Sequence, residues 1–151
     1  MSAYSVVASD TNTAATTQGY FVNGNSTPQR LGLFDALFGS SGTPGDQACE
    51  YQIRRITAEA MTPGGTAVTP FALDASSPAS QANAVEGPTS EPTYATGAAF
   101  ELGLNQRAPF RWVLHPGREL RVAASNDAGW GIITNAVTSA WTGHYTLVFE
   151  E

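Results

Sequence analysis

The chain has 151 residues, 42% of them hydrophobic and 13% charged, with a formal net charge of −6. That length supports one domain with a substantial core. The acidic balance, with seven basic residues that are all arginine, argues against a nucleic-acid surface, which needs a basic patch for phosphates. A single cysteine, Cys49, excludes an intrachain disulfide, and no run reaches the roughly 18 apolar residues of a membrane helix.

Tyr4 to Ala8 reads as a first strand. Asp10 to Gly19 is rich in Thr, Ala and Asn and reads as a loop or an extended arm. Residues 1–20 are therefore expected to form an N-terminal strand and arm, and residues 21–151 the folded body. Gln29 to Phe38 suits a strand through Leu31, Leu33 and Leu37, although Leu31, Phe34 and Phe38 also sit at helical spacing. The strand is preferred, because Gly39-Ser40-Ser41-Gly42-Thr43-Pro44-Gly45 closes it as a hairpin loop. Ala48 to Glu59 is the strongest strand, with Tyr51 and Ile53 on one face and Ile56 and Ala58 on the other. That switch of face predicts a β-bulge at Arg54-Arg55.

Thr62-Pro63-Gly64-Gly65 reads as a turn, and Thr66 to Leu73 as a strand that Pro70 places at an edge or a bend. Asp74 to Pro92 is a Ser/Ala/Pro-rich stretch whose one large apolar residue is Val85, so it reads as a long loop or a docking arm. Strand character resumes over Thr93 to Leu104. The clearest alternation follows. Phe110, Trp112 and Leu114 share a face, His115-Pro116-Gly117-Arg118 turns, and Leu120 and Val122 point inward while Glu119 and Arg121 point out. After a turn at Asn126-Asp127-Ala128-Gly129 the chain ends on the period-two run His144 to Phe149. Period two with regular turns, and no helix longer than two turns, defines an antiparallel sandwich or barrel.

Chemistry is sparse by comparison. Ser125, Asp127 and His144 are the residue types of a triad, but no nucleophile-elbow motif accompanies them. One Cys and two distant His do not make a zinc site. Asp10-Thr11-Asn12 and Asn126-Asp127 carry oxygen ligands, yet Asx residues shape turns in just this way. Glu86 and Glu91 sit where they would solubilise a loop. With no Lys there is no P-loop. No catalytic, cofactor or metal residue is assigned. Trp112 alternates with core residues, whereas Trp130 and Trp141 flank turns and could stack on sugar rings or pack in the core or at a subunit interface.

The run Tyr51-Gln52-Ile53-Arg54-Arg55-Ile56-Thr57-Ala58, the segment Gly64-Gly65-Thr66-Ala67-Val68-Thr69-Pro70, and Ala72-Leu73-Asp74 with Ser76-Ser77-Pro78-Ala79 resemble small virion structural proteins of tailed bacteriophages. Leu33-Phe34-Asp35, Pro116-Gly117 and the Phe149-Glu150-Glu151 end belong to the same likeness, which spans roughly residues 30 to 151. The resemblance implies a jelly-roll head decoration, or cement, protein on the outside of a capsid. The expectation is thus an all-β, single-domain antiparallel jelly-roll sandwich that is not an enzyme. It is made in the host cytoplasm, Met1 to Val7 lacking the basic and apolar regions of a signal peptide, and it binds the major capsid protein as a homotrimer. Candidate interface residues are Arg54, Arg55, Trp130 and Trp141, with Tyr20 in the arm and Val85 in the long loop. The alternative is a receptor- or carbohydrate-binding head domain of a phage fibre, favoured if Trp130 and Trp141 lie exposed on one patch.

Overall fold

The structure is a computed structural model and describes residues 1–12, 14–24, 27–59 and 64–151. Thirteen strands run in chain order: β1 Ala3–Asn12, β2 Thr17–Asn23, β3 Gly32–Ser41, β4 Ala48–Ala58, β5 Thr66–Val68, β6 Phe71–Ala72, β7 Ala82–Glu86, β8 Thr93–Tyr94, β9 Phe100–Asn105, β10 Phe110–Val113, β11 Leu120–Arg121, β12 Gly129–Thr134 and β13 Trp141–Glu150. No helix occurs among the described residues.

The strands form two antiparallel sheets packed as a sandwich. One has the order β10-β3-β13-β1-β6, with β11 beside β10 on β3; we call it the front sheet. The other, the back sheet, has the order β5-β7-β2-β12-β4-β8, with β9 also on β4. Take β1, β2, β3, β4, β9, β10, β12 and β13 as an ordered set of eight. The first then pairs with the last (β1 with β13), the second with the seventh (β2 with β12), the third with the sixth (β3 with β10) and the fourth with the fifth (β4 with β9). Nested pairing of this kind is a long hairpin rolled over on itself, the jelly roll with its two Greek keys.

The inner faces interdigitate around aromatic rings. Phe38 of the front sheet lies 5.3 Å from Tyr51 of the back sheet, and Phe21 stacks on Phe149 at 4.3 Å. Trp112 closes the open edge by stacking on Phe100 at 4.4 Å. Trp130 and Trp141 are both buried in this core cluster, with Tyr51 edge-on to Trp141.

Four expectations change. Residues 1–20 are not an arm. β1 pairs with β13 along its whole length, and β2 is buried throughout between β7 and β12. Of the Thr/Ala/Asn-rich stretch that suggested a loop, Asp10 to Asn12 end β1 and Thr17 to Gly19 begin β2, and the exposed Ala14 and Ala15 lie between the two strands. The stretch from Asp74 to Pro92 is not one long loop, because β7 lies within it and pairs with both β2 and β5. Its carboxylates do more than solubilise. Glu86 accepts the Ser9 N–H at 2.9 Å and Glu91 accepts the Thr17 N–H at 3.0 Å, while the N–H groups of Gln81 and Ala82 in the same stretch donate to the side chain of Glu151 at the end of the chain. The segment from Gly39 to Gly45 does not close a hairpin: β3 continues to Ser41, and the chain then crosses to β4 in the other sheet.

The fourth change concerns Arg54-Arg55. Tyr51 to Ile56 pair one for one with Thr134 to Gly129 of β12, so no bulge falls at the dipeptide; the irregularity in β4 lies between Ile56 and Ala58, against β8. The switch of apolar face has another cause. Ile56 is buried on the outer side of the back sheet, in a second cluster with Tyr20, Val22 and Val85 that Tyr94 partly covers. Pro70 lies between β5 at the edge of the back sheet and β6 at the edge of the front sheet, so it marks both an edge and a bend. Of the Thr62-Pro63-Gly64-Gly65 turn, Thr62 and Pro63 lie outside the described residues; Gly64 and Gly65 have φ of 62° and 71°.

Candidate interaction surface and binding groove

Two exterior regions stand out, one on each sheet. The outer face of the front sheet is set by alternation, which a register shift between Val148 and Phe149 interrupts on β3. On β1 the inward residues Tyr4, Val6 and Ala8 are buried, which turns Ser5 and Val7 outward. Register then sets rows across the sheet. Phe71, Ser5, Val148, Asp35 and Val113 form one row, and Val7, Thr146, Leu37 and Arg111 form the next. Leu73 extends the face at one end, its N–H donating to Ala3 O at 2.9 Å. Phe71, Val7, Val113, Leu73 and Leu37 are 71%, 57%, 57%, 53% and 36% exposed, so apolar side chains cover positions where a solvent-facing strand carries polar ones.

The charges on this face are tied down. Arg111 donates from Nη2 to Asp35 Oδ2 at 2.6 Å and from Nε to Oδ1 at 3.1 Å, a two-pronged pair. Arg121 donates to Glu119 at 2.9 Å and to Glu150 at 2.7 Å. At the far end Ser41 Oγ lies 2.7 Å from His144 Nε2.

The outer face of the back sheet carries a groove of about 390 Å³, walled by β4, β12 and the segments that hold Ala15 and Glu91. Glu50, Gln52 and Arg54 point into it from alternate positions of β4, and Ile133 and Asn135 face them. Gly131 stands opposite Arg54 in the ladder, and a Cβ there would sit 2.7 Å from the Tyr94 hydroxyl. The missing side chain is what lets the Tyr94 ring lie against the sheet. Arg54 in turn lies over that ring, 5.3 Å from its centroid, and donates from Nη2 to Ala95 O at 3.0 Å. Among the described residues Arg54 makes no ion pair, although Glu50 and Glu91 line the same groove. Its Nε is buried with no hydrogen-bond partner among the described residues.

The carboxylates are positioned just as firmly. Glu91 accepts from both the N–H and the hydroxyl of Thr17, which commits that hydroxyl's proton; Tyr94 therefore donates to Thr17 Oγ1, 2.6 Å away. Burial pushes the Tyr94 phenol well above its ordinary value, against the Thr17 hydrogen bond, so it remains a donor at neutral pH. Gln52 Nε2 bridges Glu50 at 2.7 Å and Glu101 at 3.0 Å.

The sequence-derived candidates divide accordingly. Arg54 lines the groove. Arg55 is exposed at one end of the sandwich, in register with Trp130. Trp130, Trp141, Tyr20 and Val85 are buried in the chain's own clusters and present no platform to a sugar or a partner. Ser125 and Asp127 lie in the loop before β12, at the end of the sandwich where Asn23 sits, whereas His144 is towards the other end of the front sheet beside Ser41. No group of three or more His, Cys, Asp or Glu side chains converges on a metal-sized space among the described residues.

Sequence reasoning missed Val7, Leu37, Val113 and Phe71 as a surface. The available signal was an apolar residue at the outward position of an alternating strand, as at Val7 beside inward Val6. Nothing in the sequence brings Glu91 and Tyr94 to Arg54. Comparison with protein-family models, curated proteins and solved structures finds no match for this chain. The class of protein rests on the fold: a two-sheet antiparallel jelly-roll sandwich.

Proposed function

We propose that this chain is a non-enzymatic structural protein that lies flat on the outer surface of a bacteriophage capsid and stabilises the shell. The observation that carries this reading is the apolar outer face of the front sheet. Burying each of its side chains yields part of the roughly 1.5–3 kcal/mol that full burial gives, hence several kcal/mol in total before the cost of immobilisation. Strand spacing and rise make the face about 20 Å by 24 Å, a planar footprint of roughly 500 Å². A free-standing complex uses about 800 Å² per partner. Face-to-face pairing of two copies would therefore be weak, whereas a shell extends past the face and can also engage Leu73 and the neighbouring turns. Binding that exists only on the assembled shell stabilises that state by mass action.

A homotrimer fits the same arrangement. Closing a ring takes two different surfaces per copy, and the sheet edges can supply them while the front face stays free to dock.

The test is imaging of purified phage particles carrying this chain, beside particles carrying the double variant Val7→Glu, Phe71→Glu, which stand opposite Thr146 and Ser5 rather than the Asp35–Arg111 pair. Both substitutions are on exposed positions, so circular dichroism and melting should match the parent within the usual surface range of about 0.5 kcal/mol. The expected result is density on the shell that the double variant loses. Full decoration by the double variant, or a position at a fibre tip, would overturn the proposal.

A further inference from the structure

We infer that the Arg54–Tyr94 groove on the back sheet is a binding site for a neutral, polyhydroxylated ligand, a glycan. It lies on the opposite face of the sandwich from the proposed docking surface, and the inference does not rest on that reading.

At about 390 Å³ the groove falls within the range of about 300–1,000 Å³ typical of small-ligand sites. Its charges then select among ligand classes. Two carboxylates, Glu50 and Glu91, stand in the wall with one guanidinium, Arg54, on a chain of net charge −6. An anion would meet repulsion from both carboxylates. A cation would have to approach Arg54. An apolar ligand would strip water from three charged groups with nothing offered in exchange.

A sugar hydroxyl avoids all three conflicts because it donates and accepts at once. Adjacent hydroxyls can accept from Arg54 or the Asn135 amide and donate to Glu50 or Glu91. Asn135 already spends its Oδ1 on the Glu50 N–H, at 2.8 Å, which leaves the amide nitrogen as a donor. Ile133 supplies an apolar patch for the C–H face of a ring.

The groove is also preorganised. Arg54 is held by Ala95 O and the Tyr94 ring, Glu91 by Thr17, and Glu50 by Gln52. Side chains fixed in advance lose little freedom when a ligand arrives. The inner faces of both sheets pack without Glu50, Gln52 or Arg54. This assignment also relocates sugar recognition away from Trp130 and Trp141, which are buried.

The test is a nitrogen-15 NMR titration of the isolated chain. The probes are glucose, galactose, mannose, N-acetylglucosamine and their disaccharides, with glucuronate and inorganic phosphate as anionic comparators. The expected result is saturable shifts at Gln52, Arg54, Thr134 and Asn135 with at least one neutral saccharide, at a dissociation constant of about 10 mM or tighter. Arg54→Gln should weaken binding at least about tenfold, as loss of a charged hydrogen bond does. The variant Leu37→Glu, on the other face, should bind as the parent does. Should Arg54→Gln disturb the fold, Gln52→Ala at the groove rim replaces it, with binding expected to weaken measurably. The inference is overturned if no neutral saccharide gives saturable shifts, if the shifts cluster elsewhere, if glucuronate or phosphate binds more tightly, or if the groove variants bind unchanged.

Discussion

Asp35 and Arg111 meet on a diagonal. Val113 stands directly opposite Asp35 and Leu37 directly opposite Arg111, so the guanidinium reaches back across the β3–β10 pair to place Nη2 2.6 Å from Oδ2. The carboxylate side chain is 8% exposed and the arginine side chain 61%. The pair thus neutralises a nearly buried charge in the middle of an apolar face while leaving the cation at its rim.

Removing Arg111 should therefore cost more than an exposed ion pair suggests. Arg111→Ala leaves the Asp35 carboxylate buried without its donor, and unpaired buried charge is strongly unfavourable. The expected result is a lower melting temperature at neutral pH. Asp35→Asn in the same chain should recover much of the loss. A double-mutant cycle by thermal melting checks this; if Arg111→Ala and the double variant both melt with the parent, the pair is structurally idle.

Two strand glycines should behave oppositely. A Cβ on Gly129 would lie 1.9 Å from Phe21 O and 2.6 Å from Val22 Cα, backbone atoms that cannot step aside. Gly129→Ala should destabilise by about 3 kcal/mol, the upper range of overpacking. Gly103 on β9 has nothing within 4 Å of the same position. Gly103→Ala should be neutral or stabilise by about 0.5 kcal/mol, since alanine loses less backbone freedom on folding. Urea unfolding of the two variants measures both, and equal effects would show that the close approach at Gly129 does not govern its cost.

Stability should fall on the alkaline side. Burial, helped by the Glu50 charge, raises the Cys49 thiol to about 11 from an ordinary 9.0. Burial likewise pushes the phenols of Tyr20, Tyr51, Tyr94 and Tyr145 above their ordinary 10.0. For each group the folded chain keeps a proton that the unfolded chain releases. The stabilisation is complete below the unfolded values and is lost as pH rises through the folded ones. Urea midpoints should thus be flat near neutrality, decline between about pH 9 and 11 as unfolded Cys49 ionises, and decline more steeply once unfolded tyrosines follow. Cys49→Val should remove only the first part of the decline. A midpoint independent of pH up to 11 would contradict this assignment of burial.

The architecture was legible in the sequence because alternation is a local signal. The runs Tyr4 to Ala8 and His144 to Phe149 lie wholly in strands, and Ala48 to Glu59 and Phe110 to Leu114 do so up to Ala58 and Val113. β12 was not read: Gly129 reads as the end of the Asn126-Asp127-Ala128-Gly129 turn, yet Gly129-Trp130-Gly131 opens a strand whose glycines face outward, and Gly131 leaves room for Tyr94. β2 and β7 were obscured for a related reason. Both are buried on two faces or made of small residues, so their composition carries no alternation of apolar and polar.

By itself, then, the sequence determined that the chain is an all-β sandwich without a disulfide or a basic surface. Period two, turn residues and charge count need no knowledge of neighbours. Only the tertiary structure decided what those strands display. Whether Val7 and Leu37 make a surface depends on β1, β13 and β3 lying side by side in one register. Whether Arg54 makes a site depends on Tyr94 and Glu91, some 40 residues away in sequence, folding back over it. Strand pairing joins distant segments, and a one-residue shift in register would turn each of these side chains to the opposite face.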